Sequence, residues 1–120
     1  MICPLGLVKI KGICYYQGES NAHAPDGYAQ LFMAMIRCWR ETFHDSCLPF
    51  LYVQLPNFAD IPRQVGRDKW AYLRLEQKKA LNLRHTGMVV AIDTGEPNDL
   101  HPMTKKEIGC RLSLQARKIA

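Results

Sequence analysis

The chain has 120 residues, 48% hydrophobic and 22% charged, a balance that excludes a disordered polypeptide. That length allows one domain at most, burying roughly two thirds of the surface its unfolded chain exposes. The formal charge of +5 rests on short pairs such as Lys78-Lys79 and Lys105-Lys106 inside helix-like segments, which read as solvated faces and exclude a nucleic-acid arm; no apolar stretch nears the roughly 20 residues of a membrane span.

Residues 7–16 include Val8, Ile10, Ile13, Cys14, Tyr15 and Tyr16 and read as a buried strand that breaks at Gly18. Beyond Pro25-Asp26-Gly27, the apolar residues Tyr28, Phe32, Met35, Ile36, Trp39 and Phe43 keep the spacing of an amphipathic helix, with Arg37, Arg40 and Glu41 elsewhere on the cylinder. Pro49 closes the connection. Residues 50–55 are apolar without alternation, as in a strand covered on both faces, and Pro56-Asn57 ends them.

Residues 59–68 contain Pro62 and Gly66, lack any period and read as an irregular surface loop of the kind that borders binding sites. From Trp70 onward Leu73, Gln77, Ala80 and Leu81 line one helical face. Residues 87–93 form a third strand, and a last helix runs from about Met103 or Thr104 with Ile108, Leu112, Ala116 and Ile119 on one stripe. The alternation β-α-β-α-β-α, with crossovers long enough for helices, calls for an α/β fold with parallel strands. Three strands make a thin sheet for such a fold, so part of it is expected to be missing.

The five cysteines, Cys3, Cys14, Cys38, Cys47 and Cys110, are odd in number and form no Cys-x-x-Cys pair, so buried free thiols are expected in place of disulfides or a zinc ribbon. No signal-peptide pattern is present.

Two polar turns follow apolar strands: Gln17-Gly18-Glu19-Ser20-Asn21 after the first and Asn98-Asp99-Leu100-His101-Pro102 after the third. In a parallel sheet the crevice at the carboxyl ends of the strands binds ligands, so both turns could serve one site. Gln17 would offer an amide donor to a developing oxyanion, although the whole turn also reads as plain structure. His101 is the candidate general base; His23, His44 and His85 read as loop or capping residues. Asp99, Asn98 and Asp93 are candidates for holding the His101 ring, and Asp93 also fits a loop-organising role. No serine qualifies as a nucleophile. Ser20 lacks the second glycine of a Gly-x-Ser-x-Gly elbow, Ser113 falls in a helical pattern and Ser46 has no partner. A metal site built from His101, Asp99, Asp93 or Glu96 is disfavoured because no second histidine recurs at ligand spacing.

Lys11-Gly-Ile-Cys-Tyr-Tyr-Gln-Gly-Glu-Ser-Asn-Ala22, Ile36-Arg-Cys-Trp-Arg40, Leu48-Pro-Phe-Leu-Tyr-Val-Gln-Leu-Pro-Asn-Phe58 and the stretch from Thr86 through Gly95-Glu-Pro-Asn-Asp-Leu-His-Pro102 resemble the sialate O-acetylesterases of the SGNH hydrolase superfamily, beside related acetylxylan esterases. The resemblance implies a three-layer α/β/α, flavodoxin-like parallel sheet. It also implies removal of O-acetyl groups from sialic acids or related glycans by a serine-histidine mechanism, with no metal and no organic cofactor. It implies a secreted, periplasmic or lysosomal parent. The family's Gly-Gln-Ser-Asn nucleophile motif does not occur here, and the opening Met-Ile-Cys-Pro-Leu resembles an internal family segment. Residues 1–120 are therefore expected to be the carboxyl-terminal part of one esterase domain, inactive without the nucleophile-bearing part, which is its expected partner. By resemblance Gln17 lies on the oxyanion side with Gly18 and Asn21, Glu19 is a buried organiser of the turn, and His101 is the base. Asp99 is the expected orienting group, since the position three residues before the histidine, an aspartate in many superfamily members, is Asn98 here. The alternative reading is a noncatalytic glycan-binding or interaction module derived from the same fold.

Overall fold

A computed structural model describes residues 2–58, 69–96 and 99–119. Three short parallel strands, β1 (Ile13–Tyr16), β2 (Phe50–Val53) and β3 (Thr86–Val89), form a sheet in the order β1-β2-β3. Ile13 pairs with Phe50 and Phe50 with Thr86, while Tyr16 pairs with Val53 and Val53 with Val89, so all three strands end at one rim. The connections are helical: α1 (Tyr28–Thr42) joins β1 to β2, α2 (Lys69–Lys78) precedes β3, and α3 (Lys105–Ile119) follows it.

β2 is buried along its whole length and its alternation divides the core. Phe50 and Tyr52 point to one side, where they pack with Tyr28, Phe32 and Ile36 of α1 and with Leu73 of α2. Val53 points to the other, joining Ala91 and Ile108 of α3. Two consecutive crossovers of the same hand between adjacent parallel strands put α1 and α2 on one face, leaving the opposite face to α3. The result is the expected three-layer α/β/α arrangement.

Aromatic rings fill the thicker half of the core. Phe32 meets Tyr52 edge-on at 5.0 Å between ring centres and Tyr15 in a stack at 5.5 Å. Glu76, 2% exposed, accepts the Ala29 backbone N–H at 3.2 Å, which supplies from α2 the cap that Gly27 cannot give to the start of α1. Arg40 also turns inward: 7% exposed, it donates to the carbonyls of Leu48, Arg84 and His85 at 3.0, 2.9 and 3.1 Å, and so ties the entrances of β2 and β3 to the end of α1.

Several expectations are corrected. The first strand starts at Ile13, not at residue 7; Cys3–Leu7 is a 3-10 turn, Leu7 is 95% exposed and Val8 55%. A strand extends only as far as its partner, and β2 cannot reach back past Pro49, which has no N–H to donate. β2 stops at Val53 because the next free N–H but one, that of Leu55, is taken by the Gln77 side chain. β3 covers only Thr86–Val89, since Ala91 accepts the Thr94 backbone and hydroxyl in a turn. Leu81 is exposed because the helix tightens to 3-10 geometry at Lys79–Asn82, and α3 starts at Lys105. All five cysteines are exposed. Cys14 lies on the α3 side of an outer strand where α3 packs against β2 and β3, and Cys110 lies on the outer surface of α3. The loop expected at residues 59–68 lies outside the described residues.

Candidate active site

The rim at the strand ends carries both turns. After β1 the chain passes through Gln17 and Gly18 into a 3-10 turn at Glu19–Asn21. Gly18 has φ 153, and a Cβ there would lie 3.1 Å from Gln77 Nε2 and 3.2 Å from Leu55 Cγ, so both conformation and space require glycine.

The Gln17 amide is held at both ends. Its Oε1 accepts the hydroxyls of Tyr15 at 3.3 Å and Tyr28 at 3.2 Å, and its Nε2 donates to Asn21 Oδ1 at 2.8 Å. With two hydroxyls on Oε1 and Asn21 on Nε2, one Nε2 hydrogen remains for another acceptor. Burial, with the Glu19 charge second, pushes the Tyr15 and Tyr16 phenols above their usual range; burial pushes Tyr28 higher still. These hydroxyls therefore stay protonated and keep donating. Glu19 is partly buried, less covered than the fully buried role expected of it, because its 3-10 turn has no buried residue.

The second turn is built around Asp99. Its Oδ1 accepts the His101 backbone N–H at 2.8 Å, an Asx-type turn, and its own N–H reaches Glu96 O at 3.2 Å. Asp99 thus orients the backbone of His101, while the His101 ring has no hydrogen-bond partner among the described residues. Asn98 lies outside them. Asp93 is otherwise engaged: Arg111 of α3 grips both its oxygens at 2.6 Å, and those bonds first of all hold its carboxyl down to about 2. It ties the loop after β3 to α3 through a side-chain pair, in place of holding the His101 ring.

One contact links the chain beside each turn, and a second ties the His101 loop to the segment after β2. Lys105, four residues after His101, sets its ammonium 4.8 Å from the ring centre of Tyr16, the residue before Gln17. Gly95 presses on the segment after β2, where an added Cβ would fall on the Asn57 backbone and side-chain oxygens. That segment is secured by Trp70 Nε1, which donates to Pro56 O at 2.7 Å beneath a Phe58–Trp70 ring contact of 5.1 Å. Sequence reasoning placed Gln77 on a helical face without giving it a role and missed Glu76 and Arg40, whose burial becomes visible only once their partners are known.

Two grooves lie at the opposite end of the sheet, where the strands begin. One of about 480 Å³ is lined by Leu7, Val8, Lys11 and Leu48, the other, of about 680 Å³, by Arg37, Arg40, His44 and Leu83.

The family model described as "Carbohydrate esterase, sialic acid-specific acetylesterase" matches residues 4–117. The whole chain aligns with the sialate O-acetylesterase of Rattus norvegicus at 31% identity over 140 residues and with that of Homo sapiens at 33% over 138 residues. It spans 25% and 26% of those relatives' lengths. A crystal structure of a carbohydrate acetylesterase from Xanthomonas citri superposes with a TM-score of 0.92 at 45% identity, covering 98% of this chain and 28% of that one.

Proposed function

This chain belongs to the carbohydrate esterase family of sialic acid-specific acetylesterases, and on that premise we propose that residues 1–120 form the carboxyl-terminal part of one esterase domain, carrying its general base and part of its oxyanion site. The nucleophilic serine comes from a segment outside this sequence, which holds no Gly-Gln-Ser-Asn motif. The observation that carries the reading is the polarised Gln17 amide at the rim, with an unused N–H, on a sheet whose second catalytic turn leaves from the same end.

In the assembled site His101 takes the proton of the serine hydroxyl as its oxygen bonds to the acetyl carbonyl carbon. The negative charge moves to the carbonyl oxygen, where Gln17 Nε2 donates its remaining hydrogen. Collapse breaks the bond to the sugar oxygen, which leaves with the proton from His101. Water repeats the sequence on the acetyl-serine, releasing acetate and restoring the base. Asp99 fixes the loop that presents the imidazole through its bond to the His101 backbone.

The exposed Cys14 on the outer strand β1 agrees with a domain that continues beyond these residues. The test is reconstitution. The chain is co-expressed with the nucleophile-bearing segment of a relative, and acetate release is assayed on O-acetylated sialic acid and on acetylated xylan. Release above that of either part alone, greater on the sialic acid, is expected; a folded complex without turnover contradicts the proposal. Binding of acetylated sugar by the isolated chain with no turnover in the complex would favour a noncatalytic module.

A further inference from the structure

The proposed donor is only as good as its aim, and Gln17 leaves a turn that lies at an open edge. Two buried side chains hold that turn from below: the Tyr28 hydroxyl lies 3.5 Å from the Gln17 carbonyl, and Gln77 bonds the same carbonyl more closely. Gln77 of α2 is 1% exposed, and its amide reaches two strand ends at once. Oε1 accepts the Leu55 N–H at 2.9 Å; Nε2 donates to the Gln17 carbonyl at 3.1 Å and lies 3.4 Å from the Val53 carbonyl. Its own backbone carbonyl accepts the Tyr52 hydroxyl at 3.0 Å, which fixes the stem from which the amide projects. The groups it satisfies are the main-chain atoms that leave the sheet where β1 and β2 end, and hydrophobic packing cannot satisfy them.

We propose that Gln77 is a positioning residue for the acetyl-transfer site: by holding the Gln17 carbonyl it sets the peptide plane, and hence the Cα–Cβ direction, from which the Gln17 amide reaches the oxyanion. The catalytic half of this inference rests on the reading of Gln17 given above; the geometric half does not. A glutamine is needed because the site asks for one acceptor toward Leu55 and a donor toward two carbonyls, which an amide supplies without charge. Glutamate at this position would present an oxygen to the carbonyls until it binds a proton.

That difference makes the test. In the 120-residue chain, Gln77→Glu and Gln77→Met are compared with the unaltered protein by the nitrogen and proton shifts of the Gln17 and Asn21 side-chain amides. At pH 8 both variants should displace these signals. On acidification toward pH 5 the Gln77→Glu signals should return, because a protonated carboxyl again donates to Gln17, whereas Gln77→Met stays displaced. A residue that merely fills space would give two variants without that divergence. Signals that stay in place in both folded variants, or that shift without pH reversal, overturn the proposal. Should neither variant fold, the unaltered chain decides: the Gln77 side-chain N–H protons should exchange with water at least about tenfold more slowly than those of exposed Gln30, and equal rates overturn it. In the reconstituted complex Gln77→Met should lower kcat about tenfold or more with KM within about twofold, the pattern of an interaction felt in the transition state. Displaced signals with no acetate release by the unaltered complex would defeat the esterase reading and leave the geometric one standing.

Discussion

Arg40 shows how much one side chain can hold. Its guanidinium serves three carbonyls from two strand entrances, and each is a charge-assisted bond. Removing the head orphans the Leu48 and Arg84 carbonyls, while that of His85 keeps the Phe50 N–H at 3.0 Å, so Arg40→Met should lower unfolding free energy by about 2 kcal/mol, read from urea denaturation. Asp93 is the pH-sensitive counterpart. Its carboxyl titrates at about 2 when folded, below the ordinary value of about 3.9. A depressed carboxylate contributes stability that is complete above the unfolded value and is lost as pH falls through the folded one. The acid limb of stability between about pH 4 and pH 2 should therefore flatten in Asp93→Asn; an unchanged limb would show the Arg111 pair to be without consequence. Arg40 does not advertise itself in the sequence, because a charged side chain on an amphipathic helix reads as solvated until its carbonyl partners are known.

Elements depend on one another for their limits. α3 reaches β3 because Gly87 has no side chain: a Cβ there would lie 2.8 Å from Ile119 Cδ1 and 2.9 Å from Leu51 Cδ2. Gly87→Ala should cost about 1–3 kcal/mol by lifting the end of α3, and Ile108→Ala about 2–4 kcal/mol by opening a void beside Val53 and Ala91. Thermal unfolding measures both. Helices α1 and α3 were legible because burial at Tyr28, Phe32, Ile36 and Ile108 follows a period that the sequence repeats. The entry to β1 was not legible, since it is set by where β2 can pair, and Pro49 acts across the sheet, 36 residues along the chain from Ile13. The exit of β2 is similar: Leu55 looks like strand, yet a glutamine from α2 takes its N–H.

At the scale of the whole molecule, the sheet has three layers but an outer strand, β1, whose second edge is unpaired among the described residues. Cys14 and the apolar Leu7 and Val8 are exposed near it. An unpaired strand edge beside apolar surface invites association, so the isolated chain should elute above its monomer mass in size-exclusion chromatography and return to a defined complex when the complementary segment is supplied. The family was legible from motif strings, and the shared rim follows from parallel strands. What holds the His101 ring was not legible, because Asp99 next to a histidine can bond either its ring or its backbone, and here it bonds the backbone.

The proposed mechanism needs an imidazole and an amide to act from one rim on an acetyl ester. The most direct measurement is the single-turnover rate of acetyl transfer to the serine in the reconstituted complex, compared among the unaltered chain, His101→Ala and Gln17→Ala. Loss of transfer in the first variant and a slowing of about a hundredfold or more in the second are the results it predicts. Transfer at an unchanged rate in a folded His101→Ala complex would contradict it.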